Sequence, residues 1–586
     1  MFDEALRLHP NLVEALRGRA VLHALQGQLE QALETFLRLY QLAPGEPNGQ
    51  HNIATTLNRL ERYAEAVVWF ERSLAVVPEF GRAWTGLAAA REELGERSNA
   101  SEAIQRALAI NPSVPLPRLI QAMLSLPRVA ESEEQSEATP AAFCQAMAAL
   151  TEWADADPNH LSALGERVGD RQPFLLAYRP GQHRDLLSGY GDLIARAGNA
   201  YWSARGFLPM AISPIRARPR LGILCYFIRR HSVWDIIVKG LVRHLLRTRF
   251  ELIIYHTGVE TDEETRWAER HAERFVTGQL GLAEWLRLIR EDAPDVLFFP
   301  EIGMDPLSCH LGALRLAPLQ VASWGHPITT GLPEIDMFIS GDLLEPPDAQ
   351  SHYRERLVQL PGTGVCTEWL DIKPAPLPVS YLRQRTPGRV RLLLCQHPFK
   401  HDPADRSLLA EVLRACSPCE LYVLKHRRLS RASDLAVELL RQTLAEADLD
   451  LEVLFVERPW VDLDQFLSLL ANVDLYLDLP AFSGYTTAWQ ALHCGLPIVT
   501  LEGPTLRQRL AAGLLRQIGR PESIARNSED DVAIAAQLAA ESRDPALQAA
   551  RRAELAAAAV KADHQVETVR AFEQTLVDAL AELKKG

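Results

Sequence analysis

Short apolar segments alternate with amphipathic helical patterns from Pro219 to the end of the chain. Such segments, bounded by turn residues, are typical of strands buried on both faces. A proline-rich stretch at 373–378 divides them into two sets. The predicted strands are Leu221–Phe227, Leu252–His256, Val296–Pro300, Gln320–Trp324 and Met337–Ser340 in the first set, and Val390–Cys395, Leu421–Leu424, Leu451–Val456, Leu475–Leu477 and Ile498–Leu501 in the second.

Strands that alternate with helices form parallel sheets with helices on both faces. The two sets therefore predict two Rossmann-like halves that face a cleft, at residues 217–375 and 376–586. Ligands of such sheets bind beyond the carboxyl ends of the strands, so functional side chains are expected directly after strands. The alanine-rich stretch 504–586 is predicted to be helical and to pack across both halves.

The N-terminal part of the chain repeats with a period of 34 residues and resembles the tetratricopeptide repeat, a pair of helices per repeat. Proline ends the second helix because its ring cannot continue the hydrogen-bond ladder. Small alanines let the paired helices approach closely. The recurring residues are Pro10, Pro44, Pro78 and Pro112; Ala32, Ala66 and Ala100; Phe36, Phe70 and Ile104; and Gly27, Glu61 and Gly95.

These repeats are predicted to fill residues 1–114, followed by a helical adaptor at 115–216 with an acidic loop at Glu131–Glu137. Repeat arrays bind peptides along a concave face. A short array can instead serve only to stabilise the next domain, and the sequence leaves both interpretations open. The fold class is thus α plus α/β: helical repeats followed by two Rossmann-like domains.

Composition excludes several classes of protein. A net charge of −13 argues against a nucleic-acid-binding protein, which needs a basic face. The eight cysteines are scattered, and Cys416 and Cys419 have metal-site spacing but no second pair, which favours a plain loop in a reducing compartment. The acidic start and the lack of a long apolar run predict a cytoplasmic protein with no signal peptide and no membrane span.

The segment 474–500 carries the clearest candidate chemistry. A buried strand is followed by a loop that contains Gly484, and a helix is predicted to begin at about Thr486. The free N–H groups and positive dipole end of such a helix suit a phosphate, and Thr486 and Thr487 add hydroxyl donors. The alternative is that Thr486 is only an N-cap.

Three further segments follow predicted strands. Lys400 comes after the first strand of the second half and is predicted to place a positive charge on a diphosphate; its alternative is a solvated surface lysine. His231 follows the first strand of the first half and suits base or orienting work, or only caps the next helix. The other candidates, expected to face the cleft opposite the nucleotide half, are Asp305, His326, Thr329 and Thr330.

These segments, in this order, resemble the O-GlcNAc transferase family of glycosyltransferases over about residues 218–580. The repeats are similar to those of its repeat-containing bacterial and SPINDLY-like members. The resemblance implies a GT-B fold, a UDP-sugar donor, inverting transfer to protein side chains, and no metal or other cofactor. It also implies that His231 and Lys400 are catalytic and that the donor is bound by Gln396, Lys400, Gly484, Tyr485, Thr486, Thr487 and Gln490.

The sequence also departs from the family pattern. Animal members have histidine where Tyr485 stands and aspartate where Gln490 stands, which puts the ribose contact in doubt. The stretches 302–305 and 325–330 look more like the HMW1C-like N-glycosyltransferases of the family. The donor therefore stays open between UDP-GlcNAc and UDP-glucose, and the acceptor between serine or threonine, which we favour, and asparagine.

Other functions remain as alternatives. A repeat scaffold with a degenerate, non-catalytic transferase domain would bind no UDP. A transferase acting on lipids or glycans would share the strand-helix architecture, although helical repeats suit a polypeptide acceptor lying along the repeat groove and the cleft.

Overall fold

A computed structural model describes residues 2–207, 215–370, 372–426 and 430–585. The chain forms two compact units. One comprises the chain up to Leu126 together with Ala142–Arg171, and the other comprises Pro127–Ala141 and the chain from Gln172 onward. The segment predicted as an adaptor is thus divided between the two units, and its last part, 208–214, lies outside the described residues.

The first unit is built from helical hairpins that follow the predicted period. Each recurring proline lies two residues beyond the end of a helix, as its missing N–H requires. Ala32, Ala66 and Ala100 are fully buried where paired helices meet. The helices are α1 Phe2–Leu8, α2 Val13–Leu25, α3 Leu29–Leu42, α4 Pro47–Arg59, α5 Tyr63–Val76, α6 Gly81–Glu93, α7 Arg97–Ile110 and α8 Pro115–Met123.

The turn inside each hairpin has, at the same position, a residue whose backbone is in the left-handed conformation. Gly27, Glu61 and Gly95 have φ values of 75°, 60° and 77°. Glycine adopts this conformation freely, whereas a side chain makes it costly. The recurrence of glycine in the sequence therefore reflects backbone geometry, and Glu61 carries the strain of a non-glycine residue.

The predicted acidic loop is a helix instead. Glu133–Asp155 forms α9, in which Glu133 and Glu134 lie in the first turn, where negative charge interacts favourably with the positive helix end. Ser136 of this turn is buried and donates to the Asp402 carboxylate at 2.6 Å. The helices that follow are α10 Pro158–Gly165, a 3₁₀ turn Phe174–Tyr178 and α11 Arg184–Ser203.

The second unit contains two sheets in which all paired strands are parallel. The first has the order β3-β2-β1-β4-β5-β6-β7. Its strands are β1 Arg220–Cys225, β2 Glu251–His256, β3 Arg274–Thr277, β4 Val296–Phe299, β5 Leu319–Ser323, β6 Met337–Gly341 and β7 Arg356–Leu360. Its helices are a π-helix Val233–Val238 that leads into α12 Lys239–His244, then α13 Glu263–His271, α14 Leu282–Asp292, α15 Pro306–Gly312 and a 3₁₀ turn Ala349–His352.

The second sheet has the order β10-β9-β8-β11-β12-β13. Its strands are β8 Val390–Leu394, β9 Cys419–Lys425, β10 Phe455–Pro459, β11 Leu475–Leu477, β12 Ile498–Leu501 and β13 Ile524–Ala525. Its helices are α16 Pro403–Ala415, α17 Ser430–Glu446, α18 Leu451–Leu454, α19 Leu463–Asn472, α20 Thr486–His493, α21 Leu510–Gln517, α22 Ser528–Glu541, α23 Pro545–Ala559 and α24 Val566–Leu583, with 3₁₀ turns at Pro398–Lys400, Leu506–Gln508, Pro521–Ser523 and Val560–Ala562.

The predicted strands correspond to observed ones, with one partial exception. Leu451–Leu454 is helical, and the strand expected there begins only at Phe455. The C-terminal helices bridge both halves as expected. Helix α24 returns to the first sheet, where Phe572 packs on Phe298 at 5.4 Å between ring centroids and Glu573 accepts from the Leu246 N–H at 2.7 Å.

Across the part of the chain that the structure describes, no helix has the length and apolar character needed to cross a membrane.

The left-handed turns give a stability prediction. Gly95→Ala is expected to lower the opening free energy of α6 and α7 by about 1 kcal/mol, because alanine is strained at this φ. Glu61→Gly is expected to leave α4 and α5 unchanged or to slow their exchange. Hydrogen exchange of the full chain measures both, and unchanged exchange in Gly95→Ala would contradict the requirement for glycine.

Candidate functional site

The topology of both sheets opens a crevice at equivalent places. Strand β1 lies between β2 and β4, and β8 lies between β9 and β11, so consecutive connections leave toward opposite faces of the sheet. A cavity of about 580 Å³ lies between the halves. Predicted residues that line it are His231 and His326 from the first half and Gln396, Lys400, Gly484, Tyr485, Thr486, Thr487 and Gln490 from the second.

The loop after β11 is organised by Asp478. Its buried carboxylate accepts hydrogen bonds from Ser483 Oγ at 2.5 Å, from the Gly484 N–H at 2.8 Å and from Thr500 Oγ1 at 2.8 Å. Ser483 Oγ in turn accepts from the Ala511 N–H at 2.9 Å. These bonds fix the path of the chain into α20.

Helix α20 begins at Thr486, as predicted from the sequence. Tyr485 is the N-cap residue and no side chain caps the helix, so the interpretation of Thr486 as a mere N-cap is wrong. A Cβ on Gly484 would lie 2.8 Å from Tyr476 Oη and 3.0 Å from Thr487 Oγ1, which leaves room only for glycine. The first turn therefore offers backbone N–H groups and a hydroxyl to the cavity.

Lys400 ends the 3₁₀ turn that follows β8. Its Nζ donates to the Ser483 carbonyl at 2.8 Å and lies 4.2 Å from the centre of the Phe482 ring. Burial lowers the pKa of Lys400 to about 8, partly opposed by the nearby Asp478 carboxylate. The ammonium group is thus still charged at neutral pH, and it lies beside the loop that leads to α20.

The remaining residues predicted to bind the donor have distinct surroundings. Gln396 Nε2 donates to the Leu477 carbonyl at 2.9 Å, and its buried Oε1 has no partner within the described ranges. Gln490 is buried and lines the cavity. Tyr485 packs against Trp324 of the first half at 4.8 Å between ring centroids and shares a hydrogen bond of 2.9 Å with Thr363 Oγ1.

His231 presents a hydrogen-bond donor to the cavity. The Val233 N–H donates to its Nδ1 at 3.2 Å, and its ring stacks on Phe227 at 3.9 Å between centroids. Burial lowers the pKa of His231 to about 4, with the Arg229 charge adding to the effect. The neutral ring whose Nδ1 accepts a bond carries its proton on Nε2, so this arrangement favours orienting work over proton removal.

His326 has the opposite arrangement. It donates to the backbone of Ile302, and its Nε2 is buried without a partner among the described residues, so the proton is on Nδ1 and Nε2 keeps its lone pair. The ring stacks on Phe174 at 5.0 Å between centroids. Burial lowers the pKa of His326 to about 4, so the ring is neutral at pH 7 and its Nε2 can accept a hydrogen bond.

The other residues predicted on the acceptor side do not line the cavity. Asp305 caps α15 by accepting from the Ser308 N–H at 2.9 Å, and burial raises its pKa. Thr329 Oγ1 donates to the Glu355 carboxylate at 2.5 Å, and the Thr330 N–H donates to the same group at 2.8 Å. Their geometry is that of residues that hold the loop carrying His326.

Sequence reasoning missed one element of the site, the segment 172–183, named here the aromatic strap. Phe174 stacks on His326 of the first half, and Tyr178 stacks on Phe482 of the second half at 4.8 Å between centroids. Both rings line the cavity. Arg507 anchors the strap by donating to the carbonyls of Arg179 and Gly181 at 3.0 and 2.7 Å. Two aromatic residues four apart were the sole signal in the sequence.

Part of this site matches a known protein family. Residues 468–564, which include the Asp478 loop and α20, match the model of glycosyl transferase family 41. The chain is 30% identical over 307 residues to a probable UDP-N-acetylglucosamine–peptide N-acetylglucosaminyltransferase SPINDLY of Eustoma exaltatum subsp. russellianum, covering 50% of this chain and 32% of that protein.

Two further matches are a protein N-glucosyltransferase and a solved structure. A UDP-glucose:protein N-beta-glucosyltransferase of Actinobacillus pleuropneumoniae serotype 7 is 24% identical over 250 residues, covering 42% of this chain and 38% of its own. The chain thus spans about a third of the length of these curated relatives. The structure of a point mutant of a Thermobaculum terrenum O-GlcNAc transferase matches with a TM-score of 0.68 at 21% identity over 97% of both chains, which shows a shared fold.

The loop that Asp478 organises lies inside the matched segment, and both curated relatives are named as transferases of a sugar from a UDP-sugar to a peptide or protein. The chain therefore carries a segment, 468–564, that matches glycosyl transferase family 41, and it is similar to protein glycosyltransferases related to the O-GlcNAc transferases.

Proposed function

We propose that the protein is an inverting glycosyltransferase that moves GlcNAc or glucose from a UDP-sugar to protein side chains, with serine or threonine favoured, and without a metal ion. The observation that carries this proposal is the convergence of Lys400 and the N-terminal turn of α20 on one cavity. A cation and a helix N-terminus together match the charge and oxygen atoms of a diphosphate.

The donor half supplies the stabilisation of the leaving group. An acceptor oxygen attacks the anomeric carbon from the side opposite UDP, a bond forms between them, and the bond from that carbon to the β-phosphate oxygen breaks. Negative charge then develops on UDP. Lys400 and the N–H groups at the start of α20 are fixed in place before the reaction, so they stabilise that charge without reorganisation.

The acceptor half supplies two histidines with different roles. His231 donates through Nε2 and orients the sugar or the acceptor. His326 offers the Nε2 lone pair and takes the proton that the acceptor hydroxyl loses. This assignment rests on the opposite hydrogen bonds of the two Nδ1 atoms.

The acceptor is proposed to be a polypeptide that reaches the cavity and also lies along the groove of the repeats, since helical repeats present extended surfaces for chains. All eight cysteines are free, which supports action in the reducing cytoplasm. Transfer to asparagine is the second candidate, supported by the similarity to the N-glucosyltransferase of Actinobacillus pleuropneumoniae.

The first experiment is calorimetric titration of the full chain with UDP, UDP-GlcNAc and UDP-glucose, with and without EDTA. We expect binding that survives EDTA and is tighter for one sugar. The preferred donor, radiolabelled, is then incubated with a library of peptides that contain Ser, Thr or Asn. Label released by alkaline β-elimination identifies an O-linkage, whereas base-stable label identifies an N-linkage. No binding of any nucleotide would favour the non-catalytic scaffold.

Lys400→Ala is expected to lower the transfer rate by about 10²–10³-fold, because one preorganised charge on the leaving group is lost. UDP affinity is expected to fall about 10-fold or more, the usual effect of a lost charge-assisted hydrogen bond. Label transfer and calorimetry measure the two quantities. Lys373→Ala, at an exposed position in the linker, is the matched control. Full activity in Lys400→Ala would remove the proposed role.

The pKa of about 8 at Lys400, lowered by burial, predicts a pH dependence of donor binding. The group is charged below this pKa and neutral above it, so affinity for a UDP-sugar should be nearly constant near pH 7 and fall as the pH rises through 8 toward 9. The slope approaches tenfold per pH unit at most. Lys400→Arg, which stays charged, should show no such fall; a fall of equal size in this variant would assign the titration to another group.

Asparagine substitutions separate the two histidine roles, because an amide donates a hydrogen bond but is not a base. His231→Asn is expected to keep most of the transfer activity. His326→Asn is expected to lower kcat by about 10²-fold or more, as for loss of a general base, with UDP-sugar affinity close to that of the parent chain. Steady-state kinetics and calorimetry check this, and the reverse order of the two variants would return the base role to His231.

A further inference from the structure

Three segments meet at the point where the chain crosses between the two halves of the second unit. Helix α12 of the first half ends at His244. The outgoing connection, between β7 and β8, passes through Glu368. The returning connection, between α23 and α24, passes through His564. None of these three residues lines the cavity described above.

The three side chains converge as metal ligands do. His244 Nε2 lies 3.1 Å from Glu368 Oε1, and one ligand atom from each residue lies within 4.8 Å of the other two. Two ligands about 2.0–2.2 Å from a tetrahedral ion lie about 3.3–3.5 Å apart. The His244–Glu368 pair is hydrogen-bonded at a distance slightly below this spacing, so a small separation of the two atoms would let an ion replace the hydrogen bond. His564 is the exposed member of the group, so its side chain can close the remaining distance.

The backbone holds Glu368 and His564 side by side. The His564 N–H donates to the Thr367 carbonyl at 2.8 Å. Thr367 Oγ1 donates to the Ala562 carbonyl at 3.0 Å and contacts Asp563 Oδ1 at 3.1 Å. The two connections are thus joined by a short parallel bridge directly beside the ligand atoms.

The surrounding charges support a single carboxylate ligand. Arg243 Nε binds the second oxygen of Glu368 at 2.9 Å, which orients the carboxylate and leaves Oε1 toward the histidines. Asp563 is engaged elsewhere, because its carboxylate accepts from Trp489 Nε1 at 2.9 Å and lies 2.9 Å from His493 Nε2. A hydrogen bond from a neighbouring side chain to a metal ligand, such as that from Arg243 to Glu368, fixes the orientation of the ligand.

We propose that His244, Glu368 and His564 bind one divalent transition-metal ion of the zinc class, with water completing its coordination. Two imidazoles and one carboxylate are ligands that zinc accepts, whereas magnesium and calcium prefer oxygen ligands alone. The ion would tie both connections to α12. Its role is structural and separate from the donor cavity, where the proposed transfer needs no metal.

The test is titration of the metal-free, untagged full chain with Zn²⁺, and with Mg²⁺ in parallel, by calorimetry. We expect one equivalent of zinc to bind, no comparable binding of magnesium, and a higher unfolding temperature with zinc. His244→Ala and His564→Ala should each weaken zinc binding by at least tenfold. His271→Ala, an exposed histidine outside the cluster, is the matched control and should bind zinc like the parent chain.

A second variant distinguishes loss of a metal ligand from loss of the folded structure. Glu368→Gln keeps a group that can accept from Arg243 but removes the ligand charge, and it should also lose at least tenfold in zinc affinity while UDP binding stays unchanged. Zinc binding by the double variant His244→Ala/His564→Ala equal to that of the parent chain would overturn the proposal. So would an absence of zinc binding in the parent chain.

Discussion

The carboxylate of Asp478 lies buried at the carboxyl end of β11, and the geometry of the candidate site depends on it. A buried carboxylate is costly unless hydrogen bonds satisfy it. Ser483, Gly484 and Thr500 supply them, and Gln396 Nε2 adds a longer contact at 3.2 Å. Because the donors come from three chain segments, satisfying this one group fixes the loop, the start of α20 and the end of β8 together.

Lys400 completes this network with the opposite charge. Its hydrogen bond to the Ser483 carbonyl and its position over the Phe482 ring hold the ammonium group beside the loop without a direct carboxylate partner at bonding distance among the described residues. An anion that enters the cavity thus meets a cation that is desolvated but not neutralised. Electrostatic interactions in such surroundings are stronger than at the protein surface.

The sequence predicted the local features well because they follow from short-range rules. Strand periodicity, the proline spacing of the repeats and the start of α20 at Thr486 all depend on neighbouring residues. The helix at Leu451–Leu454 was mistaken for a strand because a short apolar run fits both structures. The short strands β3, β7 and β13 were missed because few of their residues are buried and apolar.

The long-range features could not be predicted from single segments. Asp305, Thr329 and Thr330 follow strands, as the site residues do, yet the fold turns them toward α15 and Glu355. The roles of the two histidines depend on backbone partners that no motif reveals. The aromatic strap was invisible for the same reason, since Phe174 and Tyr178 find their partners 152 and 304 positions further along the chain, at His326 and Phe482.

The strap is one of the contacts that join the two halves across the cleft. Phe174 rests on one half and Tyr178 on the other, so the halves cannot separate without breaking one of the two ring stacks. Each stack contributes about 0.5–1.5 kcal/mol beyond the buried area. An interaction of this strength can break and re-form by thermal motion. The spacing of the two halves at the cavity is thus restrained in part by two aromatic stacks that no covalent bond reinforces.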